Sequence, residues 1–159
     1  MNMMNQMAAR KEKGFTLIEL VMVIVILGIL AAFALPRFAD LGNDARISTV
    51  QGAAGSIRSA NSIVRSACLA RQACDPTAAA GTVALDGDTV DTVFGYPAAT
   101  QAGILDAAQI NGVDFTVVAG NPIAVQANGA ATPANCQVSF TAAADANTAP
   151  VIAVDVTNC

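Results

Sequence analysis

Three textures follow one another along the chain. From Phe15 to Leu35 the residues are apolar on every side, and the stretch carries one charge, Glu19. From Phe38 the apolar residues thin to a stripe of helical period: Phe38, Leu41, Ala45, Ile47, Val50, Ala54, Ile57, Ala60, Val64, Ala67 and Cys68. Arg46, Gln51, Arg58, Ser62, Arg65 and Arg71 are assigned to the opposite, polar face, and Asp75-Pro76 ends the pattern. After Ala78 the texture becomes Ala, Gly, Thr and Val with turn residues at short intervals. This predicts strands at 82–85, 89–94, 115–119, 123–126, 137–142 and 151–156, and a short helix over 101–110. The class expected is α+β: a long N-terminal helix, hydrophobic in its first half and amphipathic in its second, packed on a small antiparallel β-sheet.

The first texture is long enough to matter physically. Its 21 residues make about 32 Å of helix, against a hydrocarbon core of roughly 30 Å. Arg10, Lys11 and Lys13 stand just before it with Glu12 as their only counter-charge, so residues 1–14 stay cytoplasmic and the chain beyond Pro36 is exported. A single helix from Phe15 to Arg71 would run about 85 Å. That is too long to bury in one small domain, so its first half needs lipid or other protein around it. Pro36 removes an internal hydrogen bond and Gly42 adds backbone freedom, marking a joint between the halves.

Composition removes whole classes of function. Charged residues are 13% of the chain, against roughly 25% in typical soluble proteins. With no histidine, histidine-based triads and histidine-ligated zinc or haem are excluded. No phosphate loop or nucleophile elbow occurs, so neither an enzyme nor a cofactor site is expected. Every Lys and Arg lies at or before Arg71, and the eight Asp beyond it have no base among them. That surface repels phosphate backbones, so direct nucleic-acid binding is not expected. Asp86, Asp88 and Asp91 could be read as a calcium loop, but they lack the ligand spacing and glutamate of an EF-hand, and a solvated turn is the better reading.

All four cysteines, Cys68, Cys74, Cys136 and Cys159, lie in the exported part, where disulfides form. Three connectivities are possible. Cys68 and Cys74 are six apart and Cys136 and Cys159 bracket a terminal hairpin, which favours those two pairs over the alternatives. No histidine can complete a zinc site with the C-x5-C spacing.

The segment Lys13-Gly14-Phe15-Thr16-Leu17-Ile18-Glu19, continuing into the apolar helix, resembles the prepilin signature of type IV (class IVa) pilins and of the pseudopilins of type II secretion. The resemblance implies cleavage between Gly14 and Phe15 by a prepilin peptidase and methylation of the new Phe15 amine. It also implies export through inner-membrane assembly machinery and polymerisation of identical subunits into a filament with the hydrophobic helices at its centre. Glu19 would then meet the charged amine of a neighbouring subunit and set the axial register. The physics of a carboxylate inside an apolar helix asks for such a partner. The same Thr16-x-x-Glu19 spacing is also a capping box, which would satisfy the carboxylate locally. Around Gly28 to Pro36 the resemblance implies a segment that loosens on assembly. Cys136 and Cys159 resemble the pair that closes the terminal loop of many such pilins. The segments Asp40 to Arg46 and Phe94 to Gln101 resemble the mannose-sensitive haemagglutinin type.

The expected organisation is therefore a leader (1–14), a membrane and filament-core helix (15–35), an amphipathic helix with its following loop (36–74) and a β-rich domain (75–159). The expected function is an extracellular pilus subunit for attachment, held in inner-membrane lipid before assembly. The alternatives are a secretion pseudopilin forming a periplasmic piston, or a soluble domain released by cleavage after Ala34 in Ala32-Phe33-Ala34. Against the last, the uncharged run from Leu20 to Leu35 is 16 residues, more than the usual 7–15 of a signal core, and Glu19 would be an intrusion in it.

Overall fold

The computed structural model describes residues 14–71 and 74–159, and the side chains of all of these except 36–40. The basic cluster of the leader, Arg10, Lys11 and Lys13, and the side chains of Pro36 and Phe38 lie outside the described residues. The chain divides after Asp40 into two units, the second being Leu41–Cys159. One helix, α1 (Leu17–Ala70), belongs to both and continues through Gly28, Pro36 and Gly42.

In the first unit, Leu17–Leu35 has a mean hydropathy of 2.9 and holds no buried residue. Among the described residues it is the one helix long and apolar enough to cross a membrane. Leu17, Ile24, Leu27, Leu30 and Phe33 are all more than half exposed. Helical hydrogen bonding satisfies the backbone, but these side chains are left uncovered within the first unit's described residues, so the helix face suits a non-aqueous surrounding.

The second unit holds two antiparallel sheets in place of the single small sheet expected. β1 (Gly81–Leu85), β2 (Asp88–Val93) and β3 (Tyr96–Pro97) form the first. β4 (Phe115–Val118), β5 (Ile123–Ala127), β6 (Gln137–Thr141) and β7 (Val151–Asp155) form the second, in sequential order. Both hairpins of the small sheet turn on two residues with positive φ, Asp86-Gly87 (48° and 96°) and Phe94-Gly95 (51° and 73°), the pairing that matches strand twist. Phe94 is therefore a turn residue, not the end of a strand. β3 escapes the sequence pattern because two residues cannot show alternation.

The periodic stripe of α1 becomes the core seam from Val50 onward. Val50, Ala54, Ile57 and Ala60 pack with Ile104, Leu105, Val125, Val138 and Phe140 in the main cluster. Val64, Cys68, Cys74, Val83 and Val90 form a second, smaller one against the three-stranded sheet. Leu41 and Ala45, expected in the stripe, are exposed. They precede Ile47, the first helix residue that packs against the main cluster.

The short helix expected over 101–110 is present but shorter and wider: it is π-helical over Gln101–Leu105, α-helical at Asp106 and Ala107, and ends in a turn where Gln109 takes a φ of 56°. Gly103 decides this. Its backbone lies so close to Ala98 that a Cβ would collide with the Ala98 carbonyl, while the Ile104 amide donates to that carbonyl at 2.9 Å. The tight approach places Ile104 and Leu105 in the core, fully buried.

Candidate functional site

The junction singled out by the sequence is open. Gly14, Phe15 and Thr16 precede α1 without helical structure, Phe15 is 90% exposed, and among the described residues, chain neighbours aside, no heavy atom lies within 4 Å of where a Gly14 Cβ would stand.

Immediately after it the helix start is locked reciprocally. The Thr16 amide and hydroxyl both donate to Glu19 Oε2 at 2.8 Å, and the Glu19 amide donates to Thr16 Oγ1 at 3.3 Å. With Leu17 as first helical residue, Thr16 is the N-cap and Glu19 stands three residues later, so the capping box is formed in the single chain. The negative carboxylate also suits the positive end of the helix dipole. Both bonds go to one oxygen, Oε2, and the group is exposed.

Gly28 has nothing within 4 Å of its would-be Cβ, so no contact inside the chain calls for glycine there. Gly42 lies against the Arg46 guanidinium at ordinary contact distance.

The four cysteines are joined as Cys68–Cys74 and Cys136–Cys159. Cys68, Cys74, Cys136 and Cys159 are all at most 6% exposed, and each bond is part of a core cluster. Cys136 and Cys159 flank the β6–β7 hairpin, whose register runs from Gln137 opposite Asp155 to Thr141 opposite Val151.

Two arginines prove to have structural roles that their assignment to the polar face missed. Arg46 Nε donates to the Cys159 carbonyl at 2.6 Å, tying the disulfide-closed end of the chain to α1. It is four residues before Val50 and eleven before Ile57, which places it on the core side by helical spacing, and that spacing was the available signal. Arg65 donates to the Phe94 carbonyl at 2.8 Å and stacks 4.4 Å over the Tyr96 ring. No sequence signal foretells that contact, because it depends on the Phe94-Gly95 turn.

Asp86 and Asp88 are exposed on the β1–β2 turn. Among the described residues no group of three or more carboxylates or thiols is placed to hold a metal ion.

Comparison with known proteins bears on the N-terminal part. Residues 9–35 match the family described as the prokaryotic N-terminal methylation motif. The chain carries a type IV pilin methylation motif. It is homologous to type IV major pilins: 48% identical over 65 residues to the type IV narrow pilus major component of Thermus thermophilus, covering 41% of this chain and 56% of that one. Fimbrial protein EcpB of Eikenella corrodens is 54% identical over 50 residues, 31% of each chain. The type II secretion system core protein G of Pseudomonas aeruginosa is 44% identical over 46 residues, 29% of this chain and 32% of that one. The matches thus span little more than half of the first relative and about a third of the other two. No solved structure matches.

Proposed function

We propose that this chain is the structural subunit of an extracellular type IV pilus, used for surface attachment and assembled from the inner membrane after leader removal. The observation that carries the reading is the methylation motif leading into an apolar helix, Leu17–Leu35, in which no residue is buried among the described residues. Identical helices bundled together would cover that surface, exchanging lipid contact for close van der Waals packing between helices. In this reading a prepilin peptidase cuts the open Gly14–Phe15 bond, the Phe15 amine is methylated, and the amine meets Glu19 of a neighbouring subunit. Glu19 would keep its capping contacts to Thr16 and add the charge pair. Gly28, Pro36 and Gly42 are the positions at which α1 would loosen or bend as subunits pack.

The finer assignment, to the mannose-sensitive haemagglutinin type of pilin, is supported by the segments Asp40 to Arg46 and Phe94 to Gln101. The second reading, a secretion pseudopilin, is favoured by the likeness to the secretion core protein.

Intact-mass measurement of material sheared from the cell surface separates these readings. The expected species starts at N-methylated Phe15 and lacks four hydrogens for two disulfides. A chain processed at Gly14 but confined to the membrane fraction supports the pseudopilin, and one starting at Leu35 overturns the filament reading.

A further inference from the structure

Charge in the Leu41–Cys159 unit is segregated. From Ala45 to Arg71 there are four arginines and no acid, and beyond Arg71 there are eight aspartates and no base. The two sets do not neutralise one another through close contacts. Arg46, Arg65 and Arg71 donate to the backbone carbonyls of Cys159, Phe94 and Ala84. Arg58 is exposed and has no side-chain hydrogen-bond partner among the described residues.

On the other side of α1, a groove of about 340 Å³ opens between the helix and the β1–β2 hairpin. Its floor is apolar, with Ala60, Ile63, Leu85 and Val90, and its rim carries Asp86, Asp88 and Asp106. Asp106 accepts from Gln101 Nε2 at 2.8 Å, a neutral partner that leaves its charge uncompensated. At 100° per residue, Arg58 lies about 160° round the helix from Ser56 and Ala60, about 140° from Ile63 and about 100° from Ser59, the four helix residues that line the groove. The cation therefore points away from the carboxylates of its own chain. One turn before Arg58, Gly55 has nothing within 4 Å of its would-be Cβ, so the helix backbone there is open to close approach.

We infer that this groove receives Arg58 of a second copy of the chain. The guanidinium would lie among the three rim carboxylates, with its methylene stem over Ile63 and Val90. Because donor and acceptor occupy opposite sides of α1, the contact is heterologous. It repeats from copy to copy without closing as a two-fold dimer, which is the symmetry a filament requires. The inference rests on the filament reading above and adds to it the residues of a lateral contact.

The test uses the full chain in its own cells, comparing sheared filament with the processed, disulfide-bonded subunit left in the membrane. Arg58→Glu should lower sheared filament about tenfold, the scale of a close interfacial charge pair, while the membrane pool stays at its wild-type level. Asp88→Lys with Asp106→Lys should do the same. Asp86 is left in place, since its φ of 48° makes a change there a test of the turn as well. Combining the three reversals should restore filament to within about threefold of wild type, an outcome that misfolding would not produce. Wild-type filament from Arg58→Glu alone, or no recovery in the combined variant, overturns the inference and leaves the pilus reading intact. Absence of the unaltered chain from sheared material overturns both.

Discussion

Gly103 shows how much one missing side chain can decide. Its approach to the Ala98 backbone forces a π-helical turn where the sequence reads as an ordinary helix, and it delivers Ile104 and Leu105 to the core. Gly103→Ala should cost about 3 kcal/mol, near the upper end for overpacking, because the obstacle is backbone and cannot swing aside. Thermal unfolding of the detergent-solubilised chain reads this, and a melting temperature equal to wild type contradicts it. Glu19 is the second residue with a sharp expectation. Glu19→Ala should leave membrane insertion unchanged, lose about 1 kcal/mol of capping at the helix start, and reduce filament recovered by shearing. Wild-type filament yield would assign Glu19 to capping alone. Glu19 was legible because a carboxylate in an apolar run is conspicuous. Arg65 was not, because its partners, Phe94 and Tyr96, come 29 and 31 residues later and meet it only through a turn.

Among the elements, α1 was the most legible and the strands of the second sheet the next. The helix follows from a 3.6-residue stripe for Val50 to Cys68 and the first of the last two strands from alternation in QVSFT, while VIAVD reads as a short β-branched apolar run; Val138, Phe140 and Ile152 face the core. The division into two sheets was not legible, since strand pairing between distant segments leaves no mark in either segment. The β6–β7 hairpin is held at its open end by Cys136–Cys159 and through Arg46 to α1. Replacing both of these cysteines with serine should destabilise the Leu41–Cys159 unit by roughly 3 kcal/mol in the chain-entropy picture, against about 2 kcal/mol for the shorter Cys68–Cys74 loop. Denaturant unfolding of the two double variants checks the order, and equal midpoints would show that core packing, not loop closure, sets the effect.

At the scale of the whole molecule, charge and pH enter. Asp75 and Asp145 are exposed and Asp155 is half-buried, and each carboxyl is held below the usual range by bonds that favour its ionised form. Asp75 accepts from the Thr77 hydroxyl and amide, Asp145 from the Asn147 amide and Thr148 hydroxyl, and Asp155 from the Thr157 hydroxyl and amide. A carboxyl whose folded pKa lies below its unfolded value contributes stability that is fully present above the unfolded pKa and is lost as pH falls through the folded one. The melting temperature should therefore be flat from neutrality down to about pH 5 and fall below about pH 4. Asp75→Asn with Asp155→Asn should make that fall shallower, and a melting temperature that rose on acidification would contradict the assignment.

The amino-acid sequence alone determined the apolar helix at the start, the amphipathic continuation and the strand-rich remainder. These are properties of local pattern, and apolar periodicity, charge placement and turn residues are written along the chain. Tertiary structure alone decided the split into two sheets, the π-helical turn at Gly103, and the capture of Arg46 and Arg65 by distant backbone carbonyls. It also decided that Arg58 and the Asp86, Asp88 and Asp106 rim lie on opposite sides of α1. Each of these depends on which remote segments meet, and that is set by packing of the folded body, where a one-atom difference in available space selects between conformations that local sequence leaves equal.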